Sequence, residues 1–322
     1  MSLAVYSVLA KHITGNNNMS RIIIAPREAR VDGARLKVDL PDDYSELAER
    51  AEAAIHELTA PYPLTSRLYD YLIADTRLGA HWNLSNYTTV SKLSYNDHGP
   101  IHARVVTSYA MQITTLLMNA HVPMDVVNSG VGGPDEVFLV TLAGIMLHDI
   151  GNAVHRLNHE LVGLQLAHPI LESYLPQLYP DIEQRQLVED FILSAVLCHD
   201  VNPPPLFMEG AVVAVADGCD MTKGRARMPF DLGKVDIHAV SALAIEEVNI
   251  RRGDAMPVEI SVLMSNSAGI FQVEQTLVRK LLVTPLKNYV TVAASTINPD
   301  DTCDKRIIQS VILRDGRLSP TS

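Results

Sequence analysis

Between about residues 65 and 250, apolar side chains return every three or four positions, the period of a helix with one buried face. This pattern predicts helices over 65–80, 100–120, 135–150, 155–175, 183–199, 207–222 and 237–250. Stretches rich in Gly, Pro, Asn and Asp (129–134, 180–181, 202–205) punctuate them as loops. Upstream, 21–25 and 35–40 are rich in strand formers and flank Asp32-Gly33, the signal of a small hairpin. Pro41-Asp42-Asp43 then supplies a helix start before 44–58. After Arg251-Arg252-Gly253-Asp254 the period changes. Residues 257–264 alternate like a strand, 269–282 read as a helix, and 289–296 and 306–313 as two further strands. The fold class is therefore mainly α: a helical bundle core over 65–252, an N-terminal extension over 1–64, and a small α+β module over 253–322. Its unpaired strand edges suit that module to homo-oligomer contacts or ligand sensing, and it carries no catalytic cluster of its own.

Composition narrows the function. The 322 residues are 47% hydrophobic and carry a net charge of −11, which repels nucleic acid and anionic membranes. A polyanionic substrate then needs metal ions or a local basic patch. The three cysteines, Cys198, Cys219 and Cys303, form no CxxC pair, which argues against a disulfide framework or zinc ribbon and fits a reducing cytoplasm. Cys198 reads as a small buried hydrophobe. No apolar run reaches the ~18 residues of a membrane span, and the short apolar start at 3–10 lacks a basic flank and is neither signal peptide nor anchor.

The twelve histidines carry the chemistry. In the helical middle they sit with aspartates at predicted helix ends: His98 and His102, the doublet His148-Asp149, His155 and His159, the doublet His199-Asp200, then Asp217 and Asp220. Imidazole and carboxylate suit Mn, Fe, Co, Ni and Zn, and a bundle core is where several helices can pool such ligands. On one continuous helix, His148, Asn152, His155 and His159 would lie within about 60° of one another, although Gly151 can break it. His98 and His102 would share a face if their helix starts before Gly99-Pro100. His98 is an auxiliary ligand, a substrate contact or a helix N-terminal residue; His168, before Pro169, ends or kinks its helix; Asp220 caps the next element or holds an arginine.

The order of these blocks resembles the HD superfamily of metal-dependent phosphohydrolases. His102 lies in HARVV, His148-Asp149 in LHDIGN, His159 in HELVG, and Asp217 in VAVADGCDMTKGRAR, over about residues 91–235. Two positions depart from the pattern: Asn152 stands where many members have lysine, and the Gly-Tyr-Pro of the cyclic-dinucleotide branch is replaced by Val-Asn-Pro-Pro-Pro after Asp200. The resemblance implies that His102, His148, Asp149 and Asp217 are primary metal ligands, with Asp149 bridging to a second ion held by His159 and His199. It implies one or two divalent ions (Mn, Fe, Ni, Co or Zn) and hydrolysis of a small-molecule phosphate mono- or diester, a nucleotide or relative. Asp149, with Asp200 or His155 as a proton relay, forms the expected catalytic set. Lys223, Arg225 and Arg227, with His98, are the expected phosphate contacts. Two rivals share these residues: a di-iron oxygenase on the same helical fold, and a nucleotide-sensing module with an idle metal site.

Overall fold

A computed structural model describes residues 42–222, 237–297 and 310–320. The expected hairpin, Lys223, Arg225, Arg227 and Cys303 lie outside the described residues. Nine helices span the first described segment: α1 (Asp42–Thr59), α2 (Pro63–Ala74), α3 (Thr76–Asn86), α4 (Pro100–Asn119), the one-turn α5 (Asp125–Asn128), α6 (Pro134–Leu147), α7 (His159–Leu178), α8 (Ile182–Cys198) and α9 (Met208–Cys219). Their starts follow local chemistry. Proline occupies the first turn of α2, α4 and α6, where its missing N–H costs nothing. Asp75 and Asp181 accept backbone N–H bonds at the starts of α3 and α8.

From Val137 to Leu147, helix α6 is buried on every face and almost wholly apolar. It packs against α2, α4, α8 and α9 and so forms the axis of the bundle. Pro134–Ala153 is, by length and composition, apolar enough to cross a membrane, contrary to the reading of the sequence; yet 94% of its most apolar stretch is buried inside the fold. The chain does not continue helically from α6 into α7. A 3-10 turn, Ile150–Ala153, intervenes, and Asn158 holds a positive φ of 58° before α7 starts. The expected single helical face through His148, Asn152, His155 and His159 is therefore replaced by a sharp corner. Gly151 permits it, since a Cβ there would meet the His159 carbonyl oxygen at 1.9 Å. Helix α7 also runs through Pro169 and does not end at His168, which pairs with Glu189.

The second half of the chain forms a five-stranded sheet in sequence order: β1 (Ile245–Arg252), β2 (Val258–Met264), β3 (Val290–Thr296), β4 (Ser310–Arg314) and β5 (Arg317–Pro320). β2 and β3 are parallel and every other pair is antiparallel. The helix expected over 237–250 is corrected: α10 (Ile237–Leu243) is short, and β1 takes the remainder by pairing with β2. Helix α11 crosses from β2 towards β3 through Gly269–Gln272, a π-helical turn Val273–Val278, and Arg279–Leu282. It lies against α9, and the buried core runs without interruption from Ile55 through Leu139 and Val213 to Leu277 and Ile260. Bundle and sheet therefore share one core.

Candidate metal centre

Five elements deliver histidines and aspartates to one buried point. His148 and His199 follow the last residues of α6 and α8, and each uses its Nδ1–H to cap its own helix. His148 donates to the Ile145 carbonyl at 2.6 Å, and His199 to the Val196 carbonyl at 2.7 Å. The two helices cross closely one turn earlier, where a Cβ on Gly144 would lie 2.8 Å from that of Ala195. That crossing places the His148 and His199 rings 4.9 Å apart. Helix α3 fixes the end of α6 from behind, with Trp82 Nε1 donating to the Met146 carbonyl and Ser85 Oγ to that of Asp149. Asp97 accepts the amides of Gly99 and His102 and so anchors the start of α4.

Two ligand sets result. In the first, single donor atoms of His102, His148, Asp149 and Asp217 all lie within 4.8 Å of one another; in the second, those of Asp149, His159 and His199 do. Asp149 belongs to both. Its Oδ2 lies 3.1 Å from His148 Nε2 and 3.5 Å from His102 Nε2, and its Oδ1 lies 3.2 Å from His159 Nε2 and 3.7 Å from His199 Nε2. Asp217 Oδ1 closes the first set at 3.3 Å from His102 Nε2. Asn152 replaces the lysine of the familiar pattern and has a clear role here, its Nδ2 donating to Asp149 Oδ1 at 2.7 Å.

The tautomers follow from the partners. A carbonyl oxygen can only accept, so Nδ1 of His148, His159 and His199 must carry hydrogen. Nε2 is then the nitrogen that each ring turns inward, free to offer a lone pair whenever the ring is neutral. His102 and His148 face each other Nε2 to Nε2 at 3.3 Å, and His159 and His199 at 3.0 Å. Two imidazole nitrogens facing each other this closely in a dry site need a shared proton or cation, or an outside donor, to offset lone-pair repulsion. The buried cluster can therefore hold a metal, with each imidazole oriented by an outer partner. Asp220 is that partner for His102, accepting from Nδ1 at 2.7 Å. It caps α9 and takes the ring nitrogen opposite the one Asp217 faces.

The site's electrostatics agree. Burial would depress His148, but Asp149 and Asp217 outweigh it and raise its pKa to about 9. Asp149 and Asp217 resist the upward push of burial and are held well below the usual carboxylate range, chiefly by His148 and Lys280 respectively. His199 goes the other way, to about 3, through burial and the neighbouring His148 and His159. In the first set a proton on His148 substitutes for a cation in the metal-free protein, whereas His199 in the second set stays neutral.

A cavity of about 270 Å³ opens onto Asp149, His199, Asp200 and Asp217. His98 lines it, with Nε2 3.9 Å from Asp149 Oδ2. His155 does not: it is exposed, and its Nδ1 accepts the Leu157 N–H. Asp200 is held below the usual carboxylate range, since its cationic neighbours Lys280 and Arg156 work against its burial. Arg156 and Lys280 are cavity residues that sequence reasoning missed. Arg156 Nη1 lies 3.0 Å from His159 Nε2, and Lys280 Nζ donates to Asp217 Oδ2 at 2.5 Å and to the His199 carbonyl at 3.0 Å. The α+β module, expected to carry no catalytic cluster of its own, supplies that lysine.

No family model and no solved structure matches the chain. The uncharacterized protein MJ1020 of Methanocaldococcus jannaschii is 39% identical over 238 residues, which span 74% of this chain and 92% of that protein. At that identity and coverage, the chain belongs to the family of the Methanocaldococcus jannaschii protein.

Proposed function

We propose that the chain is a metal-dependent phosphohydrolase of the HD superfamily, acting on a nucleotide or related phosphate ester. The observation that carries this reading is the bridging geometry of Asp149, one oxygen towards each histidine set. His102, His148, Asp217 and Asp149 Oδ2 would hold one ion, and His159, His199 and Asp149 Oδ1 the second. When bound, such ions bring a shared water's pKa into the neutral range and offset charge on phosphoryl oxygens.

The chain's own residues provide the rest. Asn152 holds the bridging carboxylate in place. Among the described residues, the cavity is lined by four aspartates (149, 200, 217, 220) and two basic side chains, Arg156 and Lys280, a net of minus two with neutral histidines. Two divalent ions would turn that into plus two, a match for a phosphate dianion. Two cavity imidazoles, His98 and His238, lie outside both ligand sets, and His98, with Nε2 3.9 Å from Asp149 Oδ2, is placed to pass a proton to the leaving group. Asp200, held as a carboxylate, accepts a proton or steadies its basic neighbours.

The test loads the protein in turn with Mn, Ni, Co and Fe and assays it anaerobically against nucleotides and cyclic dinucleotides. Phosphate-ester cleavage with at least one metal is expected. Substrate-dependent oxygen uptake with an iron signal, and no anaerobic cleavage, would replace the reading with the oxygenase. Ligand-induced stabilisation without turnover would replace it with the sensor.

A further inference from the structure

Lys280 belongs to a helix whose shape is adapted to the cavity. Gln272, Thr276 and Lys280 of α11 all line it. In an α-helix, residues four apart drift about 40° round the axis at each step. The π-helical turn Val273–Val278 is wider and counters that drift. A second π-helical turn, Tyr87–Lys92, precedes Tyr95, Asn96 and His98 on another wall of the same cavity. The approach of α11 is close: a Cβ on Gly218, next to Asp217, would meet the Thr276 carbonyl oxygen at 3.3 Å and Lys280 Cδ at 3.5 Å.

Lys280 also shares a partner with Arg156. Asp200 Oδ1 lies 3.7 Å from Lys280 Nζ, and its Oδ2 3.6 Å from Arg156 Nη2. A single carboxylate thus spans two cations that sit beside the two ligand sets. A substrate phosphoryl group offers the same paired oxygens with more charge. Once an ion takes up the charge of Asp217, Lys280 has an ammonium to spare for a further anion. We propose that Lys280, brought in by the α+β module, and Arg156 form the oxyanion clamp for the substrate phosphoryl group. The module is then a wall of the active site. This rests on the metal-centre reading, and the test below separates the two.

The experiment titrates inorganic phosphate into the full-length, Mn-loaded protein by calorimetry, with Mn content measured in parallel. Lys280→Gln removes the charge but retains a donor for Asp217. It should keep Mn and weaken phosphate binding roughly tenfold or more, as expected when a charged hydrogen bond is lost. Lys280→Arg, which restores the charge, should stay close to the parent protein. Should the glutamine variant fail to fold, Lys280→Met and Lys280→Arg provide the same contrast. Unchanged phosphate affinity in the Mn-loaded glutamine variant would overturn the proposal. So would loss of Mn alone, which would leave Lys280 a positioning residue for Asp217. Phosphate binding that depends on Lys280, in a protein that cleaves no ester, would keep the clamp and remove the proposed reaction. Cleavage with Lys280-independent phosphate binding would do the reverse.

Discussion

The two ligand sets share Asp149 yet differ in almost everything else. The first has Asp217 as a second carboxylate, a further carboxylate behind His102 at Asp220, and a histidine raised to about 9. The second has two imidazoles and the other oxygen of Asp149, with His199 lowered to about 3 and a guanidinium 3.0 Å from His159 Nε2. Glu160 stands 3.0 Å from His159 Nδ1, so outer support is present in both. The contrast lies in the inner charge. Cations are held by charge as well as by lone pairs, so the first set should bind tightly and the second weakly.

Removing the shared residue tests the whole comparison. Asp149→Ala should lose both ions and all activity, a larger effect than the roughly 10–100-fold typical of an outer-shell change. Metal analysis of the purified variant reads it directly. Retention of full activity would mean that the sets do not act together.

Residues private to one set sharpen the contrast. His199→Ala should lose the weak ion and keep the tight one at near-parental affinity, while Asp217→Ala, which removes a direct ligand, should weaken the tight ion by more than the roughly 100-fold upper end of an outer-partner change. Native mass spectrometry across a metal titration counts the ions. If His199→Ala released both together, the sets would be a single cooperative site.

Protons distinguish the sets next. His148 carries a proton up to about pH 9 in the metal-free protein, and an ion must displace it. Apparent affinity for the first ion should therefore rise about tenfold per pH unit from near neutrality to about 9 and then level off. His199, already neutral throughout that range, adds no such dependence of its own to the second set. One proton released per first ion, measured in weak buffer at pH 7.5, checks the sign. A flat affinity profile would show that His148 is neutral without metal.

How much of this was legible in the sequence depends on whether the signal was local. His102, His148-Asp149, His159, His199 and Asp217 stood out because helix ends and the order of their blocks are written in short stretches. The same reading placed His155 on their face, because periodicity cannot show that Gly151 folds the chain back against α7. Residues 245–250 satisfy both a helical and a strand period, and only pairing with β2 decides between them. Asn152 was noted as an absence of lysine, yet its amide holds the bridging carboxylate. Lys280 gave no signal, since it reaches Asp217 across 63 residues of chain through a contact set by Gly218.

The smallest effect concerns Arg156, and its sign is the informative part. With Nη1 3.0 Å from His159 Nε2 and 3.7 Å from Asp149 Oδ1, the guanidinium stands where it repels a cation entering the second set. Its side chain is 29% exposed, so water screens much of that repulsion. Arg156→Gln should therefore tighten the second ion by only a few-fold, leave the first unchanged, and weaken phosphate. A substitution that improves metal binding while impairing anion binding is hard to obtain from general damage to the fold. Calorimetric titration of Mn into the variant, after the first set is filled, provides the measurement. If the second ion bound more weakly, Arg156 would be holding His159 in place for the metal, and the inequality between the two sets would have to come from Asp217 alone.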